Sequence, residues 1–178
     1  MSSISNKKIF LIGFMGCGKS KLGKSLAAET NRPFLDLDDL VEIKYQLSIP
    51  EIFAAFGETG FRERERDVLQ LSAIANEAII ATGGGAPCFF DNMEWMNENG
   101  ITIFIDTPIP VLANRLINAR VERPLIKGKN MEELITFIDL KLQERRPFYE
   151  KAQIILKEAD LNITLLMAAI NKHFEIDN

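Results

Sequence analysis

The chain has 178 residues, 47% of them hydrophobic and 26% charged, with a formal net charge of −4. That length and balance describe one domain, 1–178, with enough apolar material for a full core, and exclude a disordered chain. The acidic balance without a basic run excludes nucleic acid as the main partner, and the apolar run near the N terminus is too short for a signal peptide or a membrane span, so the cytoplasm is the expected location.

Residues 1–6 are polar and are expected to fray. Lys8-Ile9-Phe10-Leu11-Ile12 is a short apolar run that reads as a buried strand. It leads into Gly13-Phe14-Met15-Gly16-Cys17-Gly18-Lys19-Ser20, which fits the phosphate-loop pattern G-x-x-x-x-G-K-[ST]. Leu22, Leu26 and Ala27 then recur at helical spacing, so strand, glycine loop and helix come in the order the motif needs. The glycines let successive N–H groups curl around a polyphosphate, and the helix start adds the positive end of its dipole. Lys19 is placed to reach the β- and γ-phosphates and Ser20 to ligate Mg²⁺. Gly16, Cys17, Gly18 and Lys21 complete the expected nucleotide contacts. Cys17 and Cys88 have no metal-ligand spacing and the single histidine makes no cluster. Both thiols read as reduced, and alkylation of Cys17 is expected to block nucleotide.

Asn31-Arg32-Pro33 is a turn. Phe34-Leu35-Asp36-Leu37-Asp38-Asp39 reads as a short strand with acids at its carboxyl end, where ligands sit in an open α/β sheet. On an extended chain Asp36 and Asp38 point to one side. There they hold Mg²⁺ and deprotonate a hydroxyl, or else they join Asp39 in answering a helix dipole. A helix follows from Leu40. Ser48-Ile49-Pro50-Glu51 is a capping box with proline in the first turn, and Gly57 ends the helix it opens. Phe61-Arg62-Glu63-Arg64-Glu65-Arg66-Asp67 places Glu65 one helical turn from Arg62. The run is either a solvated face laced with ion pairs or a held arginine that forks onto a carboxylate ligand.

Ala78-Ile79-Ile80-Ala81 is a third strand, running into Thr82-Gly83-Gly84-Gly85. Three successive glycines there mean close backbone approach or a sharp turn, and their N–H groups suit an anion or a hydroxyl. Phe89 to Asn99 reads as a helix that gives Met93, Trp95 and Met96 to the core. Ile101 to Ile105 is the fourth strand, with Thr107 as the next helix cap and Pro108 in its first turn. From about 118 to 130 the chain turns basic and irregular, with Arg120, Arg123, Pro124, Lys127, Gly128 and Lys129. That reads as a lid able to bring an arginine to a transferring phosphate, or as an ordinary exposed loop. Asn130-Met131-Glu132-Glu133 is another capping box, Ala152 to Leu156 a fifth strand and Asn162 to Phe174 a terminal helix. The alternation predicts an α/β fold with a parallel sheet covered on both faces.

Taken together these motifs resemble the shikimate kinase family over almost the whole chain. Gly13 to Ser20 is similar to its phosphate loop, Asp36-Leu37-Asp38 to its paired acids, and Phe61-Arg62-x-x-Glu65 to its substrate-binding arginine motif. Gly83-Gly84-Gly85 resembles its triple-glycine turn, Arg123-Pro124-Leu125 its lid and Arg145-x-Pro147-x-Tyr149 its late arginine motif. The resemblance implies a P-loop kinase fold with five parallel strands in the order 2-3-1-4-5, a substrate-binding region near 37–65 and a lid near 118–130. It implies transfer of the γ-phosphoryl group of ATP to the 3-hydroxyl of shikimate, with Mg²⁺, in the route to aromatic amino acids. Lys19 and Arg123 would contact the phosphates, and Ser20 and Asp36 would hold the metal. Asp38 would orient and deprotonate the hydroxyl. Arg62, Gly84 and Arg145 would bind shikimate, with Glu65 holding Arg62 and with Phe53 and Phe61 walling the ring. Arg115 or Arg120 is left as the stack for the adenine, because 157–162 lacks the proline or arginine some relatives use there. A monomer is expected. A kinase for another polyol acid, such as gluconate, and a non-catalytic nucleotide module are the rival readings.

Overall fold

The structure is a computed structural model that describes residues 7–119, 126–157 and 161–176. Its strands are β1 (Lys8–Ile12), β2 (Phe34–Asp36), β3 (Ile79–Ala81), β4 (Gly100–Ile105) and β5 (Ile154–Leu156). They form one parallel sheet in the order β2-β3-β1-β4-β5. Every residue of β1, β3 and β4 is buried, whereas the edge strands β2 and β5 are partly open. A strand covered on both faces has no polar side to present, which is why these segments read as continuous rather than alternating apolar runs.

Helices α1 (Lys19–Thr30), α2 (Leu37–Tyr45), α3 (Ile49–Leu71), α4 (Asn92–Asn99), α5 (Ile109–Ile117), α6 (Met131–Tyr149) and α7 (Ile163–Ile176) surround the sheet. The core joins Phe10, Leu11 and Phe104 of the central strands to Leu26, Met93, Met96, Leu112, Ile138, Tyr149 and Leu166 of the helices. Trp95 meets the edge of Phe10 at 6.0 Å between ring centroids. Because β1 has β3 on one side and β4 on the other, the chain reverses its winding at β1. The carboxyl end of that strand is therefore the crevice where ligands of such sheets sit.

Both predicted capping boxes form. Ser48 N–H donates to Glu51 Oε2 at 2.7 Å, and Asn130 N–H to Glu133 Oε2 at 2.9 Å, each with its reciprocal bond. Gly57 breaks α3 as expected, at φ 66° and ψ −173°, and the chain then re-enters the same helix.

Three local expectations are corrected. Helix α2 starts at Leu37, so Asp38 lies in its first turn and not on an extended strand beside Asp36. Asp36 is its cap: it keeps extended dihedrals and its Oδ1 accepts the Asp38 N–H at 3.2 Å, while Asp39 lies in the first turn, where an acid answers the helix dipole as expected. Helix α5 starts after Pro108 without a side-chain cap, so Thr107 has no capping role and Pro110 is the first-turn proline. The helix predicted from Phe89 begins only at Asn92, because Phe90 takes a left-handed φ of 53°. Arg120, Arg123, Pro124 and Leu125 of the expected lid lie outside the described residues, as do Glu158, Ala159 and Asp160.

Candidate active site

Four segments meet at the carboxyl end of the sheet: the loop after β1, the β2–α2 junction, the triple glycine after β3, and the last turn of α6. The first three line a cavity of about 280 Å³ walled by Met15, Lys19, Ser20, Asp36, Asp38, Thr82, Gly83 and Gly84, among others. The loop after β1 turns into α1 at Gly18, whose φ of 103° suits glycine alone. Lys19 is buried and donates to Gly13 O at 2.8 Å and Phe14 O at 3.0 Å, which holds its ammonium under the loop. Cys17 points into the core and is 2% exposed, with its sulfur 3.7 Å from Lys19 Nζ.

Ser20 Oγ donates to Asp36 Oδ2 at 2.7 Å. One carboxylate thus joins α1 to the start of α2. Among the described residues no group of three or more histidines, cysteines or acids is gathered for a metal. A hydroxyl and one carboxylate beside an anion loop fit Mg²⁺, which keeps water and phosphate oxygens as most of its ligands. Asp38 has its carboxyl raised above the usual range, first by burial and then by the neighbouring charge of Asp36, with Lys19 and Arg62 opposing.

The triple glycine brings the acids and arginines together. A Cβ on Gly83 would stand 2.5 Å from Glu65 Oε1 and 3.0 Å from Asp38 Oδ1. One on Gly85 would lie 2.4 Å from Arg62 Nη2. No larger residue fits either place without moving a charged group. Arg62 is 8% exposed; its Nη1 donates to Glu65 Oε2 at 2.7 Å and its Nη2 to Glu58 Oε1 at 3.3 Å. Glu65 is fully buried, and among the described residues its Oε1 has no hydrogen-bond partner. Burial pushes that carboxyl up to about 7 against the pull of Arg62. Phe53 stacks on Phe61 at 4.6 Å beside this pair.

Adjacent arginines on α6 part company. Arg146 forks onto Asp106 at 2.9 and 3.0 Å, away from the crevice. Arg145 turns to the triple glycine, with Nη1 3.4 Å from where a Gly84 Cβ would be and its guanidinium 5.5 Å from the Phe14 ring centre. The Tyr149 hydroxyl donates to the Gly84 carbonyl, tying the end of α6 to the same turn. Arg62 and Arg145 thus flank the triple glycine, next to Asp38 and the phosphate loop.

A second cavity, about 430 Å³, opens on the other side of the loop and is lined by Gly16, Cys17, Gly18, Lys21, Ser25, Thr107, Arg115, Asn162 and Ile163, among others. Arg115 Nη1 donates to Cys17 O at 3.2 Å and to Gly16 O at 3.4 Å. Of the two arginines left open for the base, Arg115 lines this cavity and Arg120 lies outside the described residues. Leu161 and Asn162, from the segment 157–162 singled out for the adenine, line it too, whereas Thr107 and Ile163 were missed as cavity walls. Thr107 offered a capping pattern instead, and Ile163 approaches the loop only through the packing of α7 on α1.

The model of the shikimate kinase family matches residues 15–174. A shikimate kinase of Phocaeicola vulgatus is 47% identical over 154 residues, covering 86% of this chain and 88% of that protein. The crystal structure of a shikimate kinase from Bacteroides thetaiotaomicron superposes with a TM-score of 0.86 at 42% identity, over 96% of this chain and 97% of that one. A shikimate kinase from Acinetobacter baumannii, solved in complex with shikimate, superposes with a TM-score of 0.81 at 32% identity, over 98% and 95%.

Proposed function

The chain belongs to the shikimate kinase family, and from that premise we propose the role of each residue in its reaction. The reaction transfers the γ-phosphoryl group of ATP to the 3-hydroxyl of shikimate, giving shikimate 3-phosphate and ADP, in the synthesis of chorismate and the aromatic amino acids. The observation that carries the substrate assignment is that one triple glycine gathers Asp38 at Gly83, Arg145 at Gly84 and Arg62 at Gly85. Two arginines bind a carboxylate, and one carboxylate reads hydroxyls, which are the handles shikimate offers.

Shikimate lies between Gly84 and the arginines, with its ring against the stacked Phe53 and Phe61. Asp38 orients the 3-hydroxyl and takes its proton as the oxygen bonds to the γ-phosphorus; the bond from that phosphorus to the β-bridging oxygen breaks and ADP leaves. Gly16, Cys17, Gly18, Ser20 and Lys21 hold the nucleotide. Lys19 exchanges its loop carbonyls for phosphate oxygens and neutralises charge at the transfer. Arg123 acts from the lid in this scheme, a role drawn from the family resemblance. Ser20 and Asp36 would hold Mg²⁺, which when bound screens the phosphate charge. The base enters the cavity beside Arg115.

The region 37–65 is the substrate-binding part of a single domain and 118–130 its lid. The free thiols of Cys17 and Cys88 suit a reducing cytoplasm, and no helix of the described residues is long and apolar enough to cross a membrane. The working state in this proposal is a monomer.

A coupled ADP-release assay with Mg·ATP and shikimate, gluconate or no acceptor tests the assignment. Turnover with shikimate alone is expected. Equal turnover with gluconate would void the roles given to Arg62 and Arg145.

A further inference from the structure

Arg62 is held by more than its own helix. Its two terminal nitrogens go to Glu58 and Glu65, one turn away on either side. A ring from a different element lies against it: Cζ is 4.4 Å from the ring centre of Phe89, closer than the 5.0 Å to Phe61 beside it. Phe89 opens the tripeptide Phe89-Phe90-Asp91, which straps the arginine side of α3. Asp91 Oδ1 is 2.7 Å from Arg66 Nη2, and Arg66 Cζ lies 5.1 Å from the Phe90 ring centre. The strap is fixed behind by Asn92, which is buried and donates to Ala86 O at 2.9 Å. Phe90 adopts φ 53°, a region a bulky side chain rarely takes. Rings on two successive residues thereby each reach an arginine of one helix.

We propose that Phe89 is a positioning residue for the acceptor's carboxylate: its ring fixes the plane of Arg62, so that the N–H groups the glutamates leave over are presented in that plane. This rests on the reading of Arg62 as a carboxylate ligand. A guanidinium stacked on a ring keeps its in-plane donors available, whereas one free to rotate must be ordered each time a substrate binds. The neighbouring Gly85 backbone closes the remaining approach. The strap is thus part of the shikimate site although its side chains give no donor to the substrate.

The test is steady-state kinetics on Phe89→Leu, alone and combined with Arg62→Lys, beside a chain carrying fluorinated phenylalanine at position 89. Fluorination keeps the shape of the ring and weakens the negative potential of its face, so it carries the test if the leucine variant fails to fold. The expected result is a rise of about tenfold in KM for shikimate in Phe89→Leu, with kcat within about twofold and KM for ATP unchanged. KM should climb with the number of fluorines, and the effect should vanish in the Arg62→Lys background. An unchanged KM, or an equal rise in both backgrounds, would overturn the proposal and leave Phe89 a packing residue. If Arg62→Lys itself leaves KM unaltered, the carboxylate reading of Arg62 falls and this proposal with it. A KM that depends on Arg62 but not on Phe89 removes this proposal alone.

Discussion

Ser20 Oγ and Asp36 Oδ2 stand 2.7 Å apart, while the other oxygen of Asp36 caps α2 by accepting the Asp38 N–H. One carboxylate therefore has a structural and a proposed metal-binding duty, and substitution can separate them. Asparagine caps a helix as well as aspartate does. Asp36→Asn should keep stability within ~0.5 kcal/mol while raising the Mg²⁺ concentration for half-maximal turnover about tenfold. Asp36→Ala should also lose ~1 kcal/mol of cap energy. Urea melts and Mg²⁺ titrations of turnover read the two effects, and an unshifted Mg²⁺ curve for Asp36→Asn would take Asp36 out of the metal site.

Asp38 stands beside Gly83, open to the same cavity that Lys19 and Ser20 line. As the proposed proton acceptor it should be needed for the chemical step and not for nucleotide. Asp38→Asn is expected to bind ATP normally and to lose turnover by about 10²-fold or more. Near-normal turnover in single-turnover kinetics would pass the proton to another group.

Glu65 gives a pH signature in stability. Its carboxyl ionises near 7 in the folded chain against an ordinary 4.5, chiefly because it is buried. Between those values the folded chain holds a proton that the unfolded chain has released. The stabilisation from Glu65 is therefore complete below about 4.5 and is lost as pH rises through about 7. Glu65→Gln, neutral throughout, should flatten that part of the profile. Urea midpoints at several pH values between 4 and 8 test it, and parallel curves for the two proteins would assign the slope to other groups.

Much of this was legible in the sequence because the signals are local. The apolar runs of β1 and β4, both capping boxes, the break at Gly57 and the phosphate loop each depend on a few neighbouring residues. The strand order came from the family resemblance and is found as implied. What failed was also local, where two patterns competed. Asp36, Asp38 and Asp39 are all good N-terminal acids, and only the dihedrals of Asp36 decide which one caps. Thr107-Pro108 carries a cap pattern that Pro108 displaces by one residue. The stack of Phe89 on Arg62 and the hydroxyl of Tyr149 on Gly84 join segments far apart in the chain. No periodicity announces such contacts, since the packing of whole elements creates them.

Adjacent arginines on α6 offer a controlled comparison. Arg145 turns to Gly84, and Arg146 is bound by both oxygens of Asp106. Arg145→Ala should raise KM for shikimate about thirtyfold, equivalent to ~2 kcal/mol, and spare ATP. Arg146→Ala should do the reverse, costing up to ~1 kcal/mol of stability with little change in either KM, since its guanidinium is partly exposed. A matched rise in shikimate KM for both would mean that α6 shifts as a unit and that Arg145 has no direct contact.

Tyr149 tests whether the triple glycine must be held from behind. Its ring is buried against Phe104 with centroids 4.9 Å apart, and its hydroxyl donates to the carbonyl of Gly84. Burial pushes that phenol upward, so it stays a donor across the working range of pH. Tyr149→Phe keeps the ring and leaves a carbonyl unpaired, at a cost of ~1–3 kcal/mol in stability. If Gly84 must be fixed for its N–H to meet the acceptor, shikimate KM should rise several-fold at temperatures where the variant is still folded, with ATP unaffected. A destabilised variant with normal shikimate KM would confine Tyr149 to the core and leave the turn rigid on its own, held by the contacts of Gly83 and Gly85 with the charged pair above them.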